Sequence, residues 1–110
     1  AMAWYYKGIA LVEQGKYAEA IQAYEEAIRL DPEWSLPWYN KGIALSNLGR
    51  DAEASRAKKK AIEILDAAIR RDPGNADAWD TKALIYRAMG KHAEADAALA
   101  RAGDLRMGRR

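Results

Sequence analysis

Residues 1–34 recur twice along the chain, and a chain built from copies of one short segment folds by stacking like units on one another. The skeleton of the segment is Trp4, Gly8, Gly15, Ala20, Tyr24, Ala27 and Pro32. It returns 34 residues later as Trp38, Gly42, Gly49 and Ala54, and again as Trp79, Ala83, Gly90, Ala95, Leu99 and Ala102. The second interval is longer. Trp38 to Trp79, Gly49 to Gly90 and Pro32 to Pro73 are each 41 apart, so the second copy carries seven extra residues.

Apolar residues fall at helical spacing within every copy, which predicts helices over 2–14, 17–30, 35–48, 51–71, 76–89 and 92–105. Gly15, Gly49 and Gly90 supply the left-handed stops, and Asp31 is turned out of helix by Pro32. Ser35 and Asn75 are the expected N-caps, with Pro37 in a first turn where its missing N–H is harmless. Gly8 and Gly42 lie inside helices at a cost of about 1 kcal/mol each, which predicts close approach by a neighbour. Ala20 and Ala27 leave matching room, with Trp4 and Tyr24 as the fillers. Residues 51–71 contain no Gly or Pro, so they read as one helix of about 30 Å. The extra seven residues are assigned to 55–61, because 61–69 matches 20–28 position for position whereas Ser55 and Lys58 replace Ile21 and Tyr24. Seven residues turn a helix through about 700° and lengthen it by about 10 Å, leaving its apolar stripe on the same side.

This pattern resembles the tetratricopeptide repeat (TPR) family over essentially the whole chain; Lys7, Leu11 and Ala83 are departures from it. The resemblance implies an all-α, TPR-type α-solenoid of three helical hairpins, six helices in all, the fourth elongated. The expected organisation is a single TPR domain over 1–110, with repeats 1–34, 35–75 (insertion near 55–61) and 76–110.

Composition excludes several classes. With 18 basic and 16 acidic residues the chain is nearly neutral, which gives no general pull toward nucleic acid or an anionic membrane. There is no Cys, hence no disulfide framework and no thiolate metal site. No apolar run is long enough to span a membrane, no signal peptide is visible, and a cytoplasmic location is expected. Residue 1 is Ala, so the chain is expected to be a processed or excised fragment. His92, the sole histidine, falls at a turn without hydroxyl and carboxylate companions, and the glycines recur at repeat spacing instead of forming a phosphate loop. Neither an enzyme nor a cofactor is expected. Glu25 and Glu26 read as a solvated face.

TPR arrays present the first helix of each repeat on a concave surface that takes up a peptide or a partner's helix. Carried over by repeat position, that groove is lined by Met2, Tyr5, Tyr6, Ile9, Val12 and Glu13, then Leu36, Tyr39, Asn40, Ile43 and Asn47, then Asp77, Asp80, Thr81, Leu84 and Arg87. Trp4, Trp38 and Trp79 are expected in the core. The carboxylate clamp of chaperone-binding TPRs is matched by Asn40 alone; Tyr5, Ile9, Asp77 and Thr81 replace its other members. Asp77 and Asp80 would repel an anionic terminus with no cation to offset them. The implied function is a protein-interaction scaffold, with self-association through the elongated helix and an uncapped last helix as a companion expectation and a domain swap as one route. The rival is an RNA-binding module using the basic run 56–60.

Overall fold

The structure is a computed structural model that describes residues 1–108. It consists of α1 (Met2–Glu13), α2 (Tyr17–Leu30), α3 (Ser35–Asn47), α4 (Asp51–Arg71), α5 (Ala76–Ala88) and α6 (His92–Arg106), with no strand among the described residues. Two compact units divide the chain inside α4, one covering Ala1–Ala61 and the other starting at Ile62. The expected helices are all present, each within a residue of its predicted ends. Beyond α6 the sequence is expected to fray over 107–110; Arg109 and Arg110 lie outside the described residues.

The same stop closes the first helix of every repeat. Gly15, Gly49 and Gly90 take φ of +76°, +77° and +79°, and the next residue donates back across the turn: Lys16 N to Leu11 O at 2.8 Å, Arg50 N to Leu45 O at 2.9 Å and Lys91 N to Tyr86 O at 2.8 Å. These bonds satisfy carbonyls that the helix end would otherwise leave open. Asn75 caps α5, its side chain accepting from Ala78 N at 3.1 Å. Ser35 is not a cap. It is the first residue of α3, is buried, and Trp34 precedes it without a side-chain capping bond.

In the first unit α1 packs on α2, and α2 on α3. Ala20 and Ala27 are fully buried, as spacers between helices must be, and Tyr24 is buried beside them. A Cβ placed on Gly8 would stand 2.4 Å from the Tyr24 ring, so only glycine lets the aromatic lie flat on α1. Complete burial of a side chain this large contributes about 3 kcal/mol, more than the helix-propensity cost of the glycine. The second repeat repeats this contact with other atoms: a Cβ on Gly42 would meet Lys58 Cγ at 2.8 Å and Ala54 O at 3.1 Å. Lys58 thus lays its aliphatic stem where Tyr24 lies in the first repeat.

That contact corrects the assigned position of the insertion. Ala54 and Ala57 pack against Ala44 and Leu45, and Lys58 covers Gly42, so the opening half of α4 keeps the 34-residue register of an ordinary hairpin with α3. In the second unit Lys82 pairs with Asp66 at 2.6 Å, as Lys41 pairs with Glu25 at 3.3 Å in the first; both residues have moved by 41. The register therefore breaks between Lys58 and Asp66, not over 55–61. The opening half of α4 thus closes its hairpin with α3 within the chain. The second unit holds the closing half of α4, with Leu65 buried, and the α5–α6 hairpin. Ala83, Ile85, Ala95, Ala98 and Ala102 are its buried residues on α5 and α6, together with Ala78.

The two tests of this packing use unlike glycines. Gly8→Ala should destabilise by about 1 to 3 kcal/mol through overpacking against the immobile Tyr24 ring, whereas Gly103→Ala, where an added Cβ meets nothing within 4 Å, should stabilise α6 by about 1 kcal/mol; urea unfolding of both variants reads the signs. Burial, and next to it Tyr5, pushes the Tyr24 phenol up to about 12. The folded state thus holds this proton at pH values where the unfolded chain has lost it. Stability should be level below about pH 10, where the unfolded phenol titrates, and fall as the pH rises toward 12. Urea midpoints at pH 8, 10 and 11 should show that fall in the parent and a shallower one in Tyr24→Phe.

Candidate functional site

The first unit has a concavity of about 330 Å³ lined by Ile9, Val12, Glu13, Tyr24, Asn40 and Ile43. Ile9, Val12 and Glu13 come from one side of α1, and Asn40 and Ile43 from two successive positions of an α3 face one turn apart. Tyr24 reaches in from α2 as part of the lining. The walls are chiefly hydrocarbon, with two polar groups to orient a guest. Asn40 donates through Nδ2 to the Tyr5 hydroxyl at 3.0 Å, which leaves its carbonyl oxygen as an acceptor. Glu13 is exposed and has no ion-pair partner among the described residues.

Of the groove residues expected here, Ile9, Asn40 and Ile43 meet at this concavity and Tyr6 stands 58% exposed. Tyr5 and Tyr39 do not present themselves: they are 9% and 7% exposed. Tyr5 is packed by Trp34, Tyr6 and Tyr24, with ring centroids 4.7, 5.4 and 6.1 Å away. Burial raises the pKa of both phenols, for Tyr5 against the opposing effect of the Asn40 bond. The tryptophans shift the other way. Trp4 is 37% exposed, and Trp38 and Trp79 are half-buried instead of central. The reason is the 100° step between adjacent helical positions: α1 turns Tyr5 toward the α2 and Trp34 rings, which leaves Trp4 on a more open side, at a recess it shares with Gln22 and Ala23 of α2. Trp38 keeps its indole satisfied at the edge, Nε1 donating to Pro32 O at 3.2 Å.

In the second unit Asp77, Asp80, Thr81 and Leu84 lie on α5. Leu84 is 57% exposed, and Thr81 Oγ1 donates to Asp77 O at 3.0 Å. The two aspartates are not an open acidic patch. Arg106 Nη2 donates to Asp77 Oδ1 at 3.0 Å and also to Asp80 Oδ2, and these carboxylates raise the pKa of the guanidinium. The cation held to be missing is therefore on the last turn of α6, which the antiparallel hairpin returns to the start of α5. The basic run is likewise partly structural. Lys58 covers Gly42, and Lys60 and Lys41 lie over the Trp38 ring at 6.0 and 5.6 Å from its centroid. Glu25 and Glu26 are ion-paired, with Lys41 and Arg29, instead of simply solvated.

No group of three or more His, Cys, Asp or Glu that could hold a metal ion occurs among the described residues, and none of the helices is long and apolar enough to cross a membrane.

Tetratricopeptide repeat signatures match residues 1–33, 37–64 and 64–97. The break between the second and third matches, at 64, falls where the 34-residue register gives way. No curated protein sequence matches the chain. Among solved structures, MamA is 25% identical with a TM-score of 0.57, over 97% of this chain and 58% of its own. MamA from Desulfovibrio magneticus RS-1 is 20% identical with a TM-score of 0.54, over 97% of this chain and 56% of its own. The chain thus spans somewhat more than half the length of these MamA chains. The second TPR of Spaghetti (RPAP3), solved with an HSP90 peptide, is 22% identical with a TM-score of 0.57, over 94% of this chain and 90% of its own. With three matched repeats, six helices and these structural neighbours, the chain belongs to the tetratricopeptide repeat family.

Proposed function

We propose that the chain is a protein-interaction module and that the first unit takes up an apolar segment of a peptide or helix between α1 and α3. The observation that carries this reading is the concavity at Ile9, Val12 and Ile43, apolar in its walls yet provided with the Asn40 amide and the Glu13 carboxylate. Sites of this make-up bind through hydrocarbon burial and set orientation with few polar groups. The bound peptide in the RPAP3 repeat structure supports the reading at the level of the fold. The lining contains no cation, so a guest neutral or basic at the point of contact fits better than an acidic terminus. Arg56 and Lys59 remain exposed, yet the rest of the run packs on Gly42 and Trp38, which favours the protein partner over RNA.

Selection from a displayed peptide library tests it. Enriched peptides should carry an aliphatic or aromatic residue, and Ile9→Asp and Ile43→Asp should each weaken their binding by about tenfold or more, since either change buries a charge or forfeits the apolar contact. Absence of enrichment, or enriched peptides indifferent to both substitutions, would show that this concavity is not the binding site.

A further inference from the structure

One arrangement is completed twice within the chain and half-built a third time. In the second repeat, Lys41 lies over the Trp38 ring at 5.6 Å and pairs with Glu25 of α2 at 3.3 Å. Four residues before Glu25, Ile21 packs with Leu45 of α3. In the third repeat, within the second unit, Lys82 lies over the Trp79 ring at 5.2 Å and pairs with Asp66 of α4 at 2.6 Å, and Ile62 stands four residues before that aspartate. Each receiving helix thus offers a Trp and a Lys one turn apart. Each incoming helix answers with an aliphatic residue and, one turn later, a carboxylate.

The first repeat carries the receiving half. Lys7 lies over Trp4 at 5.0 Å, and Leu11 occupies the place of Leu45. No carboxylate is within ion-pair distance of Lys7 among the described residues, whereas Lys41 and Lys82 are both paired. Trp4 remains 37% exposed, and an open recess of about 510 Å³ adjoins Trp4, Lys7 and Leu11. Of the carboxylates around that recess, Glu25 and Glu26 are already paired with Lys41 and Arg29, and Glu19 lines it without an ion pair to Lys7.

We propose that the Trp4–Lys7–Leu11 face of α1 docks a helix of a partner protein that presents an aliphatic residue followed, four positions later, by Asp or Glu. A second copy of this chain is not the occupant. Its α2 and the closing half of α4 already spend that pattern internally, and α6 has Asp96 and Ala100 where α2 has Ile21 and Glu25. At these two positions α6 thus lacks both the aliphatic residue and the carboxylate of the other two helices. A helix docked here lies on the face of α1 away from the Ile9–Ile43 concavity, because positions 4, 7 and 11 and positions 5, 9 and 12 follow different stripes of one helix.

The probe is a capped peptide of the α2 sequence 17–30, hydrocarbon-stapled between positions 20 and 24 and titrated into the ¹⁵N-labelled full chain. The expected result is saturable movement of the Trp4 indole and Lys7 amide signals, unaffected by Ile43→Asp. Glu25→Lys in the peptide should weaken binding roughly fivefold or more, and Lys7→Glu in the protein should weaken the parent peptide while restoring the charge-reversed one. A peptide of the α6 sequence 92–106 should not bind. The proposal is overturned by no saturable shift, by shifts that map to Ile9 and Ile43, by affinity indifferent to both charge reversals, or by equal binding of the α6 peptide, which would make a second copy the occupant.

Discussion

The structure depends on how closely two antiparallel helices can approach, and that distance is set where Gly8 faces Tyr24. A glycine in mid-helix costs backbone entropy, and the return is that a whole aromatic ring lies on the helix surface and disappears from solvent. Buried on one side by Gly8, Tyr24 supports Tyr5 on another, and the same ring lines the concavity between α1 and α3. Helix spacing, the burial of Tyr5 and the shape of the candidate site therefore share one cause. The second repeat keeps the principle with another partner, Lys58 over Gly42, and in the third repeat Leu99 and Ala83 stand at the repeat positions of Tyr24 and Gly8.

The long α4 follows from the same economy of parts. In an unextended repeat, one stretch of the second helix must both complete its own hairpin and receive the next repeat, as α2 does with Tyr24 on one face and Glu25 on the next. In α4 these tasks are separated along the helix. Ala54, Ala57 and Lys58 complete the hairpin with α3, and Leu65 and Asp66 serve the second unit. Seven residues are close to two turns, so the change of task needs no change of facing.

Much of this was legible in the sequence because it lies in backbone-level signals. The helix ends at Gly15, Gly49 and Gly90, the cap at Asn75, the unbroken α4 and the Ala20 and Ala27 spacers rest on local rules that tertiary context rarely overrides. The candidate site was read less well. Repeat position alone cannot tell Trp4 from Tyr5 as the buried neighbour, because which side of α1 is covered depends on the helices packed against it. Arg106 on Asp77 and Asp80 joins residues nearly thirty apart, from one residue past the end that the sequence predicts for the last helix. The register break was misplaced because Ala61 fits both the 34- and the 41-residue alignment, and only the Lys58 stem over Gly42 distinguishes them.

The central claim is that Gly8 and Tyr24 are a matched pair and not two independent preferences. The most direct test is the double-mutant cycle of Gly8→Ala and Tyr24→Leu, which installs in the first repeat the Ala and Leu found at the same places in the third. Measured by urea unfolding, the double variant should be about 1 to 2 kcal/mol more stable than the sum of the two single changes implies, because the smaller side chain makes room for the added methyl. Additivity to within about 0.5 kcal/mol would contradict the account, since it would mean that the two positions set the helix spacing separately.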